Sequence, residues 1–279
     1  MSYSAEISRS SPACVILMID QSASMEDPIG GDAPGRKADV VADAINRLLT
    51  ELSVKCAKED GVRDYFHVGV IGYGHTTVGP AFGGVLAGRD LVPLSQVADN
   101  PARIEERVKK VPDGAGGLVE SVVRFPVWLD PKANGGTPMV RALNHVAGLV
   151  SGWLAEHPGG FPPIVLNLSD GESTDGDLVA AAASITGQAS ADGGVLLFNL
   201  HVSAAGGTPA EFLSTDVSLP DQHARSLFAA SSVLPPSMLA YAASQGKAVN
   251  EETRGFVYNA DIAGVVQFLE IGTRATELR

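Results

Sequence analysis

Short, continuous apolar runs punctuate the chain at residues 15–19, 67–73, 164–168, 195–202 and 255–258. Runs of this length suit strands covered on both faces, as a parallel sheet requires. Between them, apolar residues recur at helical spacing. Val40, Val41, Ala44, Ile45, Leu48, Leu49 and Leu52 form one stripe. Residues 139–155, an Ala-rich stretch at 178–189, and 262–271 predict three further helices. Strand alternating with helix means βαβ units, so the expected fold is α/β: a doubly wound, mostly parallel central sheet flanked by helices.

Two stretches fit the alternation poorly. Residues 76–136 are rich in Gly and Pro, with a helical piece near 102–111 and a strand-like 120–129; the second stretch is 204–236. Neither holds enough periodic apolar sequence for a core of its own, so both read as insertions on a single domain spanning 13–279. Polar, Ser-rich residues 1–12 read as a flexible lead-in, and Leu234-Pro-Pro-Ser-Met238 as a short loop. With 279 residues, 45% hydrophobic and 19% charged, the chain can bury a sizeable core.

The net charge of −12, from 32 acidic and 20 basic residues, argues against a nucleic-acid partner and favours a surface that attracts cations. No stretch approaches the roughly 20 apolar residues that span a bilayer, and the start lacks the basic and apolar regions of a secretory signal. Cys14 and Cys56 have no metal-site spacing and read as buried, reduced thiols of a cytoplasmic protein with no membrane association. Oligomeric state is not legible at this level.

The candidate chemistry sits where apolar runs end. The first runs directly into Asp20-Gln-Ser22-Ala-Ser24, a carboxylate and two hydroxyls at alternate positions. Hard cations such as Mg²⁺ take oxygen ligands of this kind and keep several waters. Alone, the motif is equally a capped helix start. Asn134-Gly-Gly-Thr137-Pro138 opens a later helix, and Thr137 alone would be an ordinary N-cap. Leu166-Asn-Leu-Ser169-Asp170-Gly171 ends an apolar strand in a carboxylate, alone a turn residue. In doubly wound sheets ligands bind beyond the carboxyl ends of the strands, where strand order reverses. If the strands ending at Asp20 and Asp170 are neighbours there, the three pieces meet in one crevice.

This ordered set resembles the metal-ion-dependent adhesion site of von Willebrand factor A (VWA) domains, over most of the chain from about residue 14 to 269. The resemblance implies a Rossmann-like fold. It implies hydroxyl ligation by Ser22, Ser24 and Thr137, and ligation by Asp20 and Asp170 directly or through waters. It also implies an open position for a Glu or Asp of a protein partner. Mg²⁺ is the first expectation for the ion, with Mn²⁺ or Ca²⁺ as alternatives. Ala23 stands where the family usually has Gly, and a long segment separates Ser24 from Thr137. Glu26, Asp27, Glu172 and Asp175 are candidates for a partner-reading rim, as is the loop 25–36 with Asp32. The arrangement is similar to bacterial cytoplasmic A-domain proteins, including the tellurite-resistance TerY group that works beside kinases and phosphatases in stress responses.

Catalysis has little visible machinery. No phosphate loop, dinucleotide fingerprint or nucleophile elbow occurs, and the six histidines lack metal-ligand spacing. The expectation is a non-enzymatic binding domain. The rival is a Mg²⁺-dependent phosphoester hydrolase, with Asp20 and Asp170 on the metal and Glu172 as base. A third reading is a scaffold that keeps an inactive site. Trp128, Trp153, His67 and His201 read as core or edge residues.

Overall fold

The computed structural model describes residues 3–29, 35–112, 118–203 and 209–273. The described strands are β1 (Ala13–Asp20), β2 (Ala57–Lys58), β3 (Gly61–Val62), β4 (Phe66–Gly74), β5 (Thr77–Pro80), β6 (Val92–Pro93), β7 (Arg103–Pro112), β8 (Leu118–Val127), β9 (Ile164–Ser169), β10 (Leu196–Val202), β11 (Ala210–Glu211) and β12 (Phe256–Ala260). The α-helices are α1 (Lys37–Lys55), α2 (Leu94–Asp99), α3 (Met139–Glu156), α4 (Leu178–Thr186), α5 (Gln222–Ala230), α6 (Pro236–Ser244) and α7 (Ile262–Gly272).

The main sheet runs β11-β12-β10-β9-β1-β4-β5, with β6 also on β4. Its centre, β12-β10-β9-β1-β4, is parallel throughout, while β5, β6 and β11 add antiparallel edges. The fold is therefore the doubly wound α/β arrangement that the alternation predicts. Every residue of β1 is buried. Val15, Leu17 and Ile19 face a core shared with α1, α6 and α7, while Cys14, Ile16 and Met18 face one shared with α3, α4 and α5. Period-2 alternation thus buries both faces, and the run reads as continuously apolar. Both cysteines are free and buried.

From β1 the chain moves outward to β4; after α3 it returns to β9 on the other side of β1 and then steps outward to β10 and β12. Strand order reverses between β1 and β9. The helices that follow these two strands, α1 and α4, lie on opposite faces, so their exits splay apart and leave a crevice.

Three expectations are corrected. The helical piece near 102–111 is β7, paired residue for residue with β8 from Arg103↔Val127 to Pro112↔Leu118. Its Lys, Arg and Glu content favours a helix locally, but cross-strand pairing prevails, including Glu106 opposite Arg124. At the ribbon's base, Arg107 stacks 3.7 Å over Phe125 and ion-pairs with Asp43 of α1. The stretch 204–236, read as an insertion without a core of its own, packs on the shared core through Ala224, Leu227 and Phe228 of α5. The Pro-Pro segment expected to be a loop starts α6, with Pro at its first position, which tolerates a missing N–H. Residues 3–12, expected to be flexible, are held down: Ile7 is fully buried, and Ser4 N donates to Asp192 Oδ1 at 2.9 Å.

Candidate functional site

Asp20 is the last residue of β1, and Asp170 directly follows β9, its parallel neighbour. The two carboxylates expected to converge therefore leave adjacent strands at the reversal. Asp20 is completely buried. Its Oδ1 accepts from Ser22 N at 2.8 Å and its Oδ2 from Ser169 Oγ at 2.6 Å. The Ser22 and Ser24 hydroxyls lie 3.1 Å apart, and Ser24 Oγ donates to Asp170 Oδ1 at 2.8 Å. Asp20, Ser22, Ser24 and Asp170 thus form one continuous chain of contacts.

The loop that carries Thr137 is tied to this rim through the backbone of its neighbours. Asn134 N donates to Gln21 O at 2.7 Å and Ala23 N donates to Gly135 O at 2.8 Å, stitching the 134–138 loop onto the exit of β1. On its other side, Thr137 N donates to Thr174 Oγ1 at 3.1 Å and Thr174 N returns to Thr137 O at 3.0 Å. The turn depends on Gly135, which has φ +69° and sits where a Cβ would lie 2.6 Å from the His75 backbone. Helix α3 starts at Met139, where the spacing predicts it, with Pro138 as its N-cap.

The rim candidates fare differently. Glu26 is held by both oxygens to Arg36 Nη1, at 3.0 and 2.9 Å. Asp27 is exposed, with Oδ2 3.7 Å from Lys37 Nζ. Glu172 lies 3.2 Å from His223 Nε2, beside an open cleft of about 230 Å³ lined by Gly171, Ser173, Asp177, Gln222 and His223. Asp175 is engaged elsewhere: its Oδ1 accepts from Val140 N at 2.9 Å and its Oδ2 from Arg141 N at 3.0 Å, capping α3 from another loop. Asp177 caps α4. Asp32 lies outside the described residues.

Sequence reasoning missed two residues here, Lys37 and Ser169. Lys37, the first residue of α1, is buried and donates to Asp170 Oδ2 at 2.5 Å. A lysine three positions before an apolar stripe carries no signal of its own. Ser169 gives Asp20 its second hydrogen bond, and its place between an apolar run and Asp170 could have marked it. His201, in register with Ser169, stacks on Tyr258 at 4.5 Å, and burial pushes its pKa down.

Burial raises the Asp20 carboxyl to about 6, hydrogen bonds from Ser169 and Ser22 oppose this, and the neighbouring charge of Asp170 adds to it. Two desolvated carboxylates and two adjacent hydroxyls form an oxygen-only donor set, the chemistry that a hard divalent cation fits. Among the described residues, no group of three or more His, Cys, Asp or Glu side chains is placed to hold a metal. A cation here would depend on hydroxyls and water to complete its shell.

Fold and rim together define a doubly wound α/β domain with an oxygen-rich crevice at its strand-order reversal. No family model matches the chain, and no curated protein does so either. Among solved structures, it is similar to proximal thread matrix protein 1 from the mussel byssus, at 14% identity and a TM-score of 0.46 over 96% of this chain. That alignment takes in 48% of the byssus protein, so the chain spans about half its length. Among the described residues, no helix is long and apolar enough to cross a membrane.

Proposed function

We propose that this is a VWA-type domain that binds a divalent cation at an adhesion-type site and uses it to bind an acidic residue of a partner protein. The observation that carries the reading is the contact chain Asp20–Ser22–Ser24–Asp170 across the carboxyl ends of two parallel strands. Ser22, Ser24 and Thr137 would supply hydroxyls, with Asp20 and Asp170 as anionic partners. Mg²⁺ suits this set best, and Mn²⁺ and Ca²⁺ share its preference for oxygen. When bound, the ion would present an electrophilic position to an incoming carboxylate. Asp20 and Asp170 are the two acids of the proposed ligand set, so a partner carboxylate would add a third negative charge at the ion.

The chain's own residues prepare this rim. Ser169 and the Ser22 amide hold both Asp20 oxygens in place, and the Ala23 N–Gly135 O bond ties the loop that carries Thr137 to the Ser22–Ser24 loop. The geometry around Glu172 favours binding over hydrolysis: its side chain is 63% exposed and paired with His223, whereas a general base works best in a water-excluded pocket. The bacterial A-domain resemblance extends the proposal to a cytoplasmic regulatory or stress-response complex.

The test is capture of partners on immobilised protein with Mg²⁺, with EDTA, and with EDTA followed by excess Mn²⁺, using wild type and Asp20→Ala. Capture should require the ion and fail in the variant. Capture indifferent to both rules the proposal out, and metal-dependent turnover of phosphoesters that is lost in Glu172→Gln replaces it with the hydrolase.

A further inference from the structure

The buried ammonium of Lys37 has no place in a site that relies on a divalent ion alone. Lys37 is 4% exposed at the first position of α1, where the positive end of the helix dipole disfavours a cation. Lysine is almost never buried this deeply unless paired. Its partner is Asp170 Oδ2 at 2.5 Å, the oxygen left free when Ser24 takes Oδ1. A second acid stands ready: Asp27 Oδ2 is 3.7 Å from the same ammonium, on a side chain that is 59% exposed. The Asp27 backbone anchors the lysine, because Lys37 N donates to Asp27 O at 2.9 Å.

We infer that Lys37 is a built-in counter-cation that competes with the divalent ion for Asp170 and thereby sets the ion concentration at which the site loads. The inference rests on the metal reading above. Without the ion, the ammonium neutralises Asp170, and two carboxylates do not face each other uncompensated. A divalent ion at the Ser22–Ser24–Asp170 oxygens repels the ammonium, which then shifts its weight to Asp27. Asp27 is the receiving partner, and its exposed position lets it accept that charge at low desolvation cost.

Calorimetric titration of the full chain with Mn²⁺ alone tests this, in wild type, Lys37→Met and Asp27→Asn. Lys37→Met should bind Mn²⁺ about tenfold tighter than wild type, the scale set by removing a neighbouring like charge at a partly buried site. Asp27→Asn, a surface change that leaves the fold intact, should bind several-fold more weakly because the displaced ammonium loses its second partner. Unchanged or weaker binding by Lys37→Met overturns the inference. If that variant does not fold, wild-type affinity in Asp27→Asn overturns it equally. Absence of binding heat in all three proteins instead removes the metal reading, and the competition falls with it.

Discussion

Ser24 Oγ donates to Asp170 Oδ1 at 2.8 Å across 146 positions of sequence. This bond ties the loop leaving β1 to the loop leaving β9, and each end is fixed by a strand rather than by the loop alone. Precision of this kind follows from parallel pairing: Val15↔Ile164 through Ile19↔Leu168 set the two exits level. The crevice is a property of the sheet, and the side chains exploit it.

The first expectation concerns ion-linked stability. A ligand that binds only the native state raises its stability by about 2.7 kcal/mol at a hundredfold excess over Kd. Thermal melts of wild type should therefore rise with Mn²⁺ and return with EDTA. Asp170→Asn should abolish the rise, and Ser24→Ala should reduce it. Equal Mn²⁺ shifts in wild type and Asp170→Asn would place the ion elsewhere.

Beneath the rim, a buried polar chain crosses the sheet. Tyr73 OH donates to Asn167 Oδ1 at 2.7 Å, Asn167 Nδ2 to Asn199 Oδ1 at 2.9 Å, and Asn199 Nδ2 to Ser231 Oγ at 2.9 Å. Asn167→Ala removes the acceptor of the buried Tyr73 hydroxyl and the donor to the Asn199 carboxamide oxygen, which costs about 2–4 kcal/mol. Urea unfolding should show this loss with an unchanged m-value. A loss well below 1 kcal/mol would mean that the network relaxes or admits water.

Much of this was legible before the structure, and for a physical reason. Strands buried on both faces are apolar at most positions, so β1, β4, β9 and β10 announce themselves, and Asp20 and Asp170 stand out where β1 and β9 stop. Strand β8 shows through as the strand-like 120–129, but β7 does not, because the ribbon pairs only with itself and leaves Val108 and Val122 exposed, so no core face imprints an alternation. Lys37 and Asp175 were hidden for another reason. Each acts on a residue far along the chain, Asp170 and the start of α3, and neither pairing leaves a local pattern.

The ribbon's attachment makes a separate prediction. Asn46, buried in α1, accepts from Trp128 N at 2.8 Å and Leu129 N at 3.3 Å and donates to Leu129 O at 3.1 Å, acting as a short strand edge for the segment after β8. Asn46→Ala leaves these backbone groups unpaired at a cost of about 2–4 kcal/mol. Limited proteolysis should then cut within 103–127 faster than in wild type, while Mn²⁺ binding at the distant rim stays unchanged. A cleavage pattern identical to wild type would show that Trp128, whose Nε1 donates to Val97 O at 2.6 Å, holds the ribbon unaided.

His67 links acid stability to packing on the α3 face. It sits 5.0 Å from the Trp153 ring, which in turn stacks on His157 at 3.8 Å. Burial lowers the His67 pKa below the ordinary 6.5, reinforced by His157 and opposed by Asp64 and Glu156. The native state therefore prefers the neutral ring, and the unfolded chain binds the proton more readily. His67 contributes its stability above about pH 6.5, and that contribution drains away as pH falls through the lowered native value. Melting temperature should thus drop between pH 7 and 5 more steeply in wild type than in His67→Gln, which cannot take up the proton. Comparing the slopes cancels the titration of Asp20 and His201, which both proteins share. Parallel slopes would mean that the imidazole charges as easily folded as unfolded, and that Trp153 does not shield it.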